Sequence, residues 1–139
     1  AALEGLGDAA ETTRVIAITQ LTSTSPETLK TEQLVEVPLV ESVRNYAKLA
    51  QAAGLTGVVC SAHEAADIAS VTGPDFLRVT PGIRPAGSAG GDQFRVATPG
   101  NAAVMGSSAI VVGRPITKAD DPVAAYHAVR DDWNAGRKA

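Results

Sequence analysis

The residues with the clearest chemical meaning are a glycine and an arginine that directly follow a stretch of strand character. Residues 110–117 read Ile-Val-Val-Gly-Arg-Pro-Ile-Thr, so an apolar run leads straight into Gly113 and Arg114. A glycine lets backbone N–H groups approach an oxyanion closely, and the planar guanidinium of arginine matches phosphate with two parallel hydrogen bonds. We therefore expect a site here for the phosphate of a small molecule. The competing interpretation is a surface arginine that pairs with a carboxylate.

Composition narrows the class of protein. The chain has 139 residues, 45% of them hydrophobic and 19% charged, which fits one globular domain or part of one. A net charge of −3, with Lys and Arg unclustered, makes nucleic acid and anionic membranes poor partners. The single cysteine, Cys60, excludes an internal disulfide, and no apolar run reaches membrane-spanning length, so we expect a cytoplasmic protein. The chain opens without methionine on a helix-like segment, which suggests that its beginning is missing.

Alternating elements predict four βα units. Apolar runs of strand length occur at residues 14–19, 57–60, 76–80 and 109–113. Helical spacing or capping signals predict helices at 38–54, from Ser61, at 99–106 and from Pro122. In the last helix we expect one apolar stripe, formed by Val123, Tyr126, Val129 or Arg130, and Trp133. Strict alternation predicts a parallel sheet with right-handed crossovers.

The connection after the third predicted strand is far longer than a link requires. Residues 81–93 read Pro-Gly-Ile-Arg-Pro-Ala-Gly-Ser-Ala-Gly-Gly-Asp-Gln. Long glycine-rich loops are commonly binding loops, so we expect a mobile lid here. Four units are half of a (β/α)₈ barrel, in which the loops after strands seven and eight commonly hold phosphate. A small flavodoxin-like domain is the alternative, but the two loops match positions seven and eight of a barrel better.

Several ordered motifs resemble the bacterial orotidine 5′-phosphate decarboxylases. They are Thr-Pro-Gly-Ile-Arg-Pro at 80–85, Gly-Asp-Gln at 91–93, Val-Val-Gly-Arg-Pro-Ile-Thr at 111–117, Ala-Ile-Thr-Gln-Leu-Thr-Ser at 17–23 and Gly-Val-Val-Cys-Ser at 57–61. The resemblance covers nearly the whole chain. It implies a TIM barrel of which residues 1–139 form the carboxyl-terminal half, strands five to eight of a single phosphate-binding domain.

The resemblance also implies roles for individual residues. Gly113 and Arg114 would bind phosphate, and Arg84 would lie at the ligand. Gln93 would become a phosphate ligand when the loop closes, although it can equally be an ordinary loop residue. Thr22 would contact the pyrimidine edge, or its hydroxyl would satisfy its own turn. Pro81 and Ile83 would form walls of the pocket.

The family's catalytic lysine and aspartate array is absent from this sequence. No segment like Asp-x-Lys-x-x-Asp occurs in it, so we expect no catalytic residue in this chain. Cys60 is more simply a small buried residue, and His63 and His127 lack a second ligand at metal spacing. No metal or cofactor is expected.

The resemblance implies conversion of orotidine 5′-monophosphate to uridine 5′-monophosphate (UMP) and carbon dioxide in pyrimidine biosynthesis, by a homodimer whose active site borrows an aspartate from the neighbouring subunit. Two alternatives stay open. One is another phosphate-binding barrel lyase or isomerase, and the other is a non-catalytic half-barrel that binds phosphate or self-associates.

Overall fold

A computed structural model describes residues 1–86 and 96–139, which fold as four successive βα units. The strands are β1 Ile16–Ile18, β2 Gly57–Val59, β3 Leu77–Thr80 and β4 Ala109–Ile110. The helices are α1 Ala2–Leu6, α2 Pro26–Thr31, α3 Leu39–Ala52, α4 Ala65–Thr72, α5 Pro99–Val104, α6 Arg114–Thr117 and α7 Pro122–Gly136. The described residues contain no helix with both the length and the apolar character needed to cross a membrane.

The four strands form one parallel sheet in the order β1-β2-β3-β4, as the alternation predicts. Ile18 aligns with Val59, Val59 with Val79, and Val79 with Ala109. β4 is shorter than the expected 109–113, because only its first two residues have register partners on β3. The amide of Val111 still donates to the carbonyl of Thr80 over 2.9 Å, so the chain stays against β3 for one residue more.

The main core lies between one face of the sheet and the helices α3 and α4. Val43, Ala47 and Ala50 recur at helical spacing on α3 and are buried against Val58 of β2. An amphipathic helix presents such a stripe to a sheet because residues three and four apart lie on the same face. Above this core, Arg44 of α3 pairs with Asp67 of α4 and with Glu41. The pKa of Arg44 is raised, first by its hydrogen bond to Asp67.

A second cluster lies under the loops that follow β2 and β3. Its buried members are Ala62, Ile83, Ala97 and Ala102, with partly buried side chains from β4 and α7 packed around them. Helices α5 and α7 cross here at close range. A Cβ on Gly136 would collide with the carbonyl group of Gly100, and Asp132 of α7 accepts a hydrogen bond of 3.0 Å from the amide of Gly100 at the start of α5.

The other face of the sheet is apolar and largely open. Successive residues of a strand point to opposite faces. Ile18 and Val111 therefore point away from the helices and are 60% and 50% exposed. Val59 and Val79, which align with Ile18, are only half-buried.

The structure shows two features of the helices that the sequence did not predict. The stripe on α7 is only partly buried, because Val123 and Tyr126 are 65% and 53% exposed while Val129 is buried. Tyr126 lines an open cleft of about 330 Å³ together with Ile110 and Trp133, so it borders β4 without being buried. Helix α2 was not predicted, although Ser25 caps it by accepting a hydrogen bond from the amide of Thr28 and Pro26 occupies its first turn.

Candidate functional site

The carboxyl ends of the four strands lie along one edge of the sheet, because all four run parallel. In open parallel sheets and in barrels, ligands bind at this edge. The segments that leave it begin with Thr19-Gln20 after β1, Cys60-Ser61 after β2, Pro81-Gly82 after β3 and Val111-Val112-Gly113 after β4. Each sequence-predicted site residue in the described part of the chain follows β1, β3 or β4.

A small cleft of about 150 Å³ opens at the ends of β1, β2 and β3. Thr22 and Pro81 both line it, so the structure brings together two residues that lie 59 positions apart in the sequence. The remaining lining residues are Ile18, Gln20, Leu21, Ser23, Val59 and Cys60. The cleft is therefore lined by both apolar and polar residues at the ligand edge of the sheet.

The segment that carries Thr22 is held by an amide pair that sequence reasoning missed. The side-chain amide of Gln20 donates to the Oε1 of Gln33 over 3.1 Å, and Gln33 donates back over 3.2 Å. Gln20 also donates to the hydroxyl of Ser42 on α3 over 3.3 Å. These bonds fix the segment after β1 against the α2–α3 connection. Its only sequence signal is a polar residue directly after a predicted strand.

The segment after β3 forms a short parallel bridge with residues on the far side of the long loop. Ile83 is bridged to Ala97, the amide of Arg84 donates to the carbonyl of Ala97 over 2.9 Å, and the amide of Ala97 lies 3.4 Å from the carbonyl of Gly82. Arg84 is half-buried, and its guanidinium donates to the carbonyl of Ile83 over 2.8 Å. Ile83 itself is fully buried beneath this segment and does not line the described cleft.

After β4, Gly113 is the N-cap of the short helix α6, and Arg114 is the first residue of that helix. Both residues are exposed at the ligand edge. The amides of Ile116 and Thr117 donate to the carbonyl of Gly113, which closes the first turn. Gly113 and Arg114 therefore both lie exposed where the chain leaves β4.

Gln93 and the central part of the predicted lid lie outside the described residues. The other chemically suggestive side chains have structural explanations. Cys60 is fully buried in the main core, and Asp121 caps α7 by accepting hydrogen bonds from the amides of Val123 and Ala124. Within residues 1–86 and 96–139, no group of three or more His, Cys, Asp or Glu side chains is arranged to hold a metal ion.

Comparison with known proteins gives a consistent result. Residues 1–129 match the model of the orotidine 5′-phosphate decarboxylase / HUMPS family. The chain is 94% identical over all 139 residues to an orotidine 5′-phosphate decarboxylase of Cutibacterium acnes and covers 59% of that protein. It is 58% identical over 135 residues to the Streptococcus uberis enzyme of the same name and covers 57% of it. The chain thus spans less than two thirds of the length of these curated relatives.

Solved structures agree on the fold. An uncharacterized conserved protein from Geobacillus kaustophilus superposes with a TM-score of 0.75 at 42% identity, with coverage of 95% of this chain and 56% of that one. Orotidine 5′-phosphate decarboxylase from Lactobacillus acidophilus gives a TM-score of 0.73 at 46% identity, with coverage of 87% and 49%. The four parallel βα units correspond to part of a TIM barrel, as the sequence motifs predict. The chain belongs to the orotidine 5′-phosphate decarboxylase / HUMPS family.

Proposed function

We propose that the protein containing this chain is an orotidine 5′-phosphate decarboxylase, and that residues 1–139 form the half of its barrel that binds the phosphate and part of the base. The observation that carries this proposal is the arrangement at the ligand edge. A cleft of about 150 Å³ lined by Thr22 and Pro81 lies at the ends of β1 to β3, and Gly113 and Arg114 lie exposed at the end of β4. The names of the relatives in Cutibacterium acnes and Streptococcus uberis support the same reaction.

In this proposal, Arg114 and the backbone at Gly113 bind the phosphate of orotidine 5′-monophosphate. Arg84, Gln93 and Thr22 complete the contacts to phosphate and base, and Pro81 forms one wall. Binding of a remote phosphate can contribute to rate as well as to affinity, since it can hold the reacting ring in place and drive the ordering of the site.

The chemical step requires a lysine and aspartates in an arrangement that this sequence does not contain. A lysine must protonate the pyrimidine carbon that loses carbon dioxide, and aspartates must crowd the substrate carboxylate. Lys30, Lys48, Lys118 and Lys138 all lack the Asp-x-Lys-x-x-Asp context. We assign the catalytic array to the part of the relatives that this chain does not match.

The proposal includes three further expectations. The complete enzyme is a homodimer, it works in the cytoplasm, and it needs neither cofactor nor nucleic acid. The net charge of −3 fits the expectation that the enzyme binds no nucleic acid, because an acidic protein repels nucleic acid. A single, buried Cys60 is compatible with a reducing compartment.

The phosphate assignment is tested with Arg114→Ala. Loss of a charge-assisted contact of two hydrogen bonds should cost about 2–3 kcal/mol of UMP binding and leave uridine binding nearly unchanged. Titration calorimetry with both ligands measures the difference. Arg14→Ala is the matched control, because Arg14 is exposed near the amino end of β1, on the opposite edge of the sheet. Equal losses for UMP and uridine would contradict the assignment.

A further inference from the structure

His63 makes a contact that neither the core nor the proposed ligand site explains. It lies in the 3₁₀ turn Ala62–Glu64 between β2 and α4, and its Nε2 is 3.1 Å from the carbonyl oxygen of Val96. Val96 and His63 are 33 positions apart. Because a carbonyl oxygen only accepts, Nε2 must be the protonated nitrogen and the donor. The bond joins the loop after β2 to the segment that returns from the long loop after β3.

The backbone of His63 is fixed independently of this contact. The hydroxyl of Ser61 accepts from the amide of His63, and the carboxylate of Glu64 accepts from the amide of Ser61 over 2.9 Å. This reciprocal capping box satisfies amides at the start of the turn. Ala62, next to His63, is buried against the cluster that contains Ile83 and Ala97. The imidazole therefore projects from a rigid support.

His63 contacts Val96, and the next residue, Ala97, is hydrogen-bonded to the backbone of Arg84. Val96 is followed by Ala97, which is bridged to Ile83 and accepts the hydrogen bond from the amide of Arg84. A displacement of residues 96–97 would thus be transmitted through the backbone to Arg84. The link contains three consecutive connections: the imidazole to Val96, Val96 to Ala97 through the chain, and Ala97 to Arg84.

We propose that His63 is a positioning residue for phosphate binding, which holds the returning segment at Val96 and thereby sets the position of Arg84. The inference rests on the proposed function, because it takes Arg84 to lie at the phosphate. His63 itself touches no ligand in this proposal. Its task requires one N–H donor at the reach of Nε2, so a glutamine side chain should serve and an apolar one should not.

The experiment compares His63→Leu and His63→Gln with His127→Leu. His127 is the second histidine of the chain and is exposed on α7 beside Tyr126, so it controls for the loss of an imidazole elsewhere. Amide hydrogen exchange of Arg84 reports the bridge directly. In His63→Leu we expect that amide to exchange about five- to tenfold faster, since one supporting hydrogen bond is lost. His63→Gln and His127→Leu should exchange at the rate of the unaltered chain.

Affinity is measured on the same variants with UMP and uridine as probes. His63→Leu should weaken UMP binding about three- to tenfold without changing uridine binding, and His63→Gln should restore it. Unchanged Arg84 exchange in His63→Leu would overturn the proposal, and so would faster exchange with unaltered UMP affinity. A failed proposed function looks different: Arg84→Ala and Arg114→Ala would then leave UMP affinity intact, while the exchange data would still decide whether His63 holds the bridge.

Discussion

Gly113 occupies a position where packing among the described residues does not require a glycine. A Cβ added to it would meet no described atom within 4 Å. Contact with neighbouring described residues therefore does not explain the residue type. The proposed phosphate does, because an oxyanion bound to backbone amides needs the space that a side chain would occupy.

The substitution Gly113→Ala should therefore change UMP binding without changing stability. The free energy of unfolding should change by no more than about 0.5 kcal/mol, as for most exposed substitutions. UMP affinity should fall by about 1 kcal/mol or more, since at least one hydrogen bond to the phosphate is lost or lengthened. Urea denaturation and titration calorimetry measure the two quantities. Gly5→Ala adds the same methyl group where space is also open, and it should leave UMP affinity unaltered. Full UMP affinity in Gly113→Ala would show that no ligand uses this space.

The roles of some residues were predictable because their partners are close in the sequence, and the roles of others were not because their partners are distant. The capping signals at Ser61 and before Pro122 are confirmed, because each depends on residues two or three positions apart: Glu64 completes a capping box with Ser61, and Asp121 caps α7. The amide pair of Gln20 and Gln33 could not be predicted. Its partners are brought together by the path of the chain around α2, and either residue alone is an ordinary polar side chain.

Among the elements, the backbones of α5 and α7 approach each other so closely that a side chain would not fit between them. Gly100 and Gly136 face each other there, and the carboxylate of Asp132 lies at the amino end of α5. An alanine normally stabilises a helix interior by about 0.5–1 kcal/mol relative to glycine. At Gly136 the new methyl group would instead meet a backbone carbonyl, which cannot rotate away as a side chain can.

We therefore predict that Gly136→Ala destabilises the protein by about 1–3 kcal/mol, because the cost of overpacking exceeds the gain in helix propensity. Urea denaturation followed by circular dichroism gives the free energy of unfolding. Gly5→Ala in α1 is the matched substitution without a neighbour, and there the propensity term alone should appear, with unchanged or increased stability. Equal effects of the two substitutions would mean that α5 and α7 do not approach so closely.

Helices with strong periodicity were predictable, whereas α2 was missed although it carries a cap. The helix expected over 38–54 is observed as Leu39–Ala52, and the final helix begins at Pro122 as expected. Helix α2 has only six residues and one buried side chain, Leu29, which is too little for a periodic signal. The stripe of α7 was read correctly as a pattern, but burial depends on how closely a neighbouring element packs, and Val123 and Tyr126 stay largely exposed.

At the level of the whole molecule, the sheet presents apolar side chains on a face that the described helices do not cover. Ile18 and Val111 are the most exposed of them. In a barrel this face points inward and is packed in layers by the remaining strands. The sequence alternation correctly predicted a parallel sheet of four units, but it gave no measure of how much of this face the chain covers by itself.

The chain by itself should therefore have no decarboxylase activity. Decrease of orotidine 5′-monophosphate absorbance is the measurement, first with the chain and then after addition of the segment of the Cutibacterium acnes relative that the chain does not match. We expect turnover only with both parts, and less of it when the chain carries Arg114→Ala. Robust turnover by the chain alone would show that one of its own residues performs the proton transfer assigned to the other segment.

The neighbour-to-neighbour order of the sheet also has a consequence for synthesis on the ribosome. β1 pairs with β2 at a separation of 41 residues, and the contact between Arg78 of β3 and Ser108 before β4 spans 30. Each strand pairs with the strand that follows it in the sequence, so each pairing can form as soon as the next βα unit has been synthesised. Closing a shorter loop costs less conformational entropy than closing a longer one, which favours pairing with the next unit over pairing with a more distant strand. The sheet can consequently assemble one unit at a time as the polypeptide emerges, with each new strand docking on an edge that has already formed.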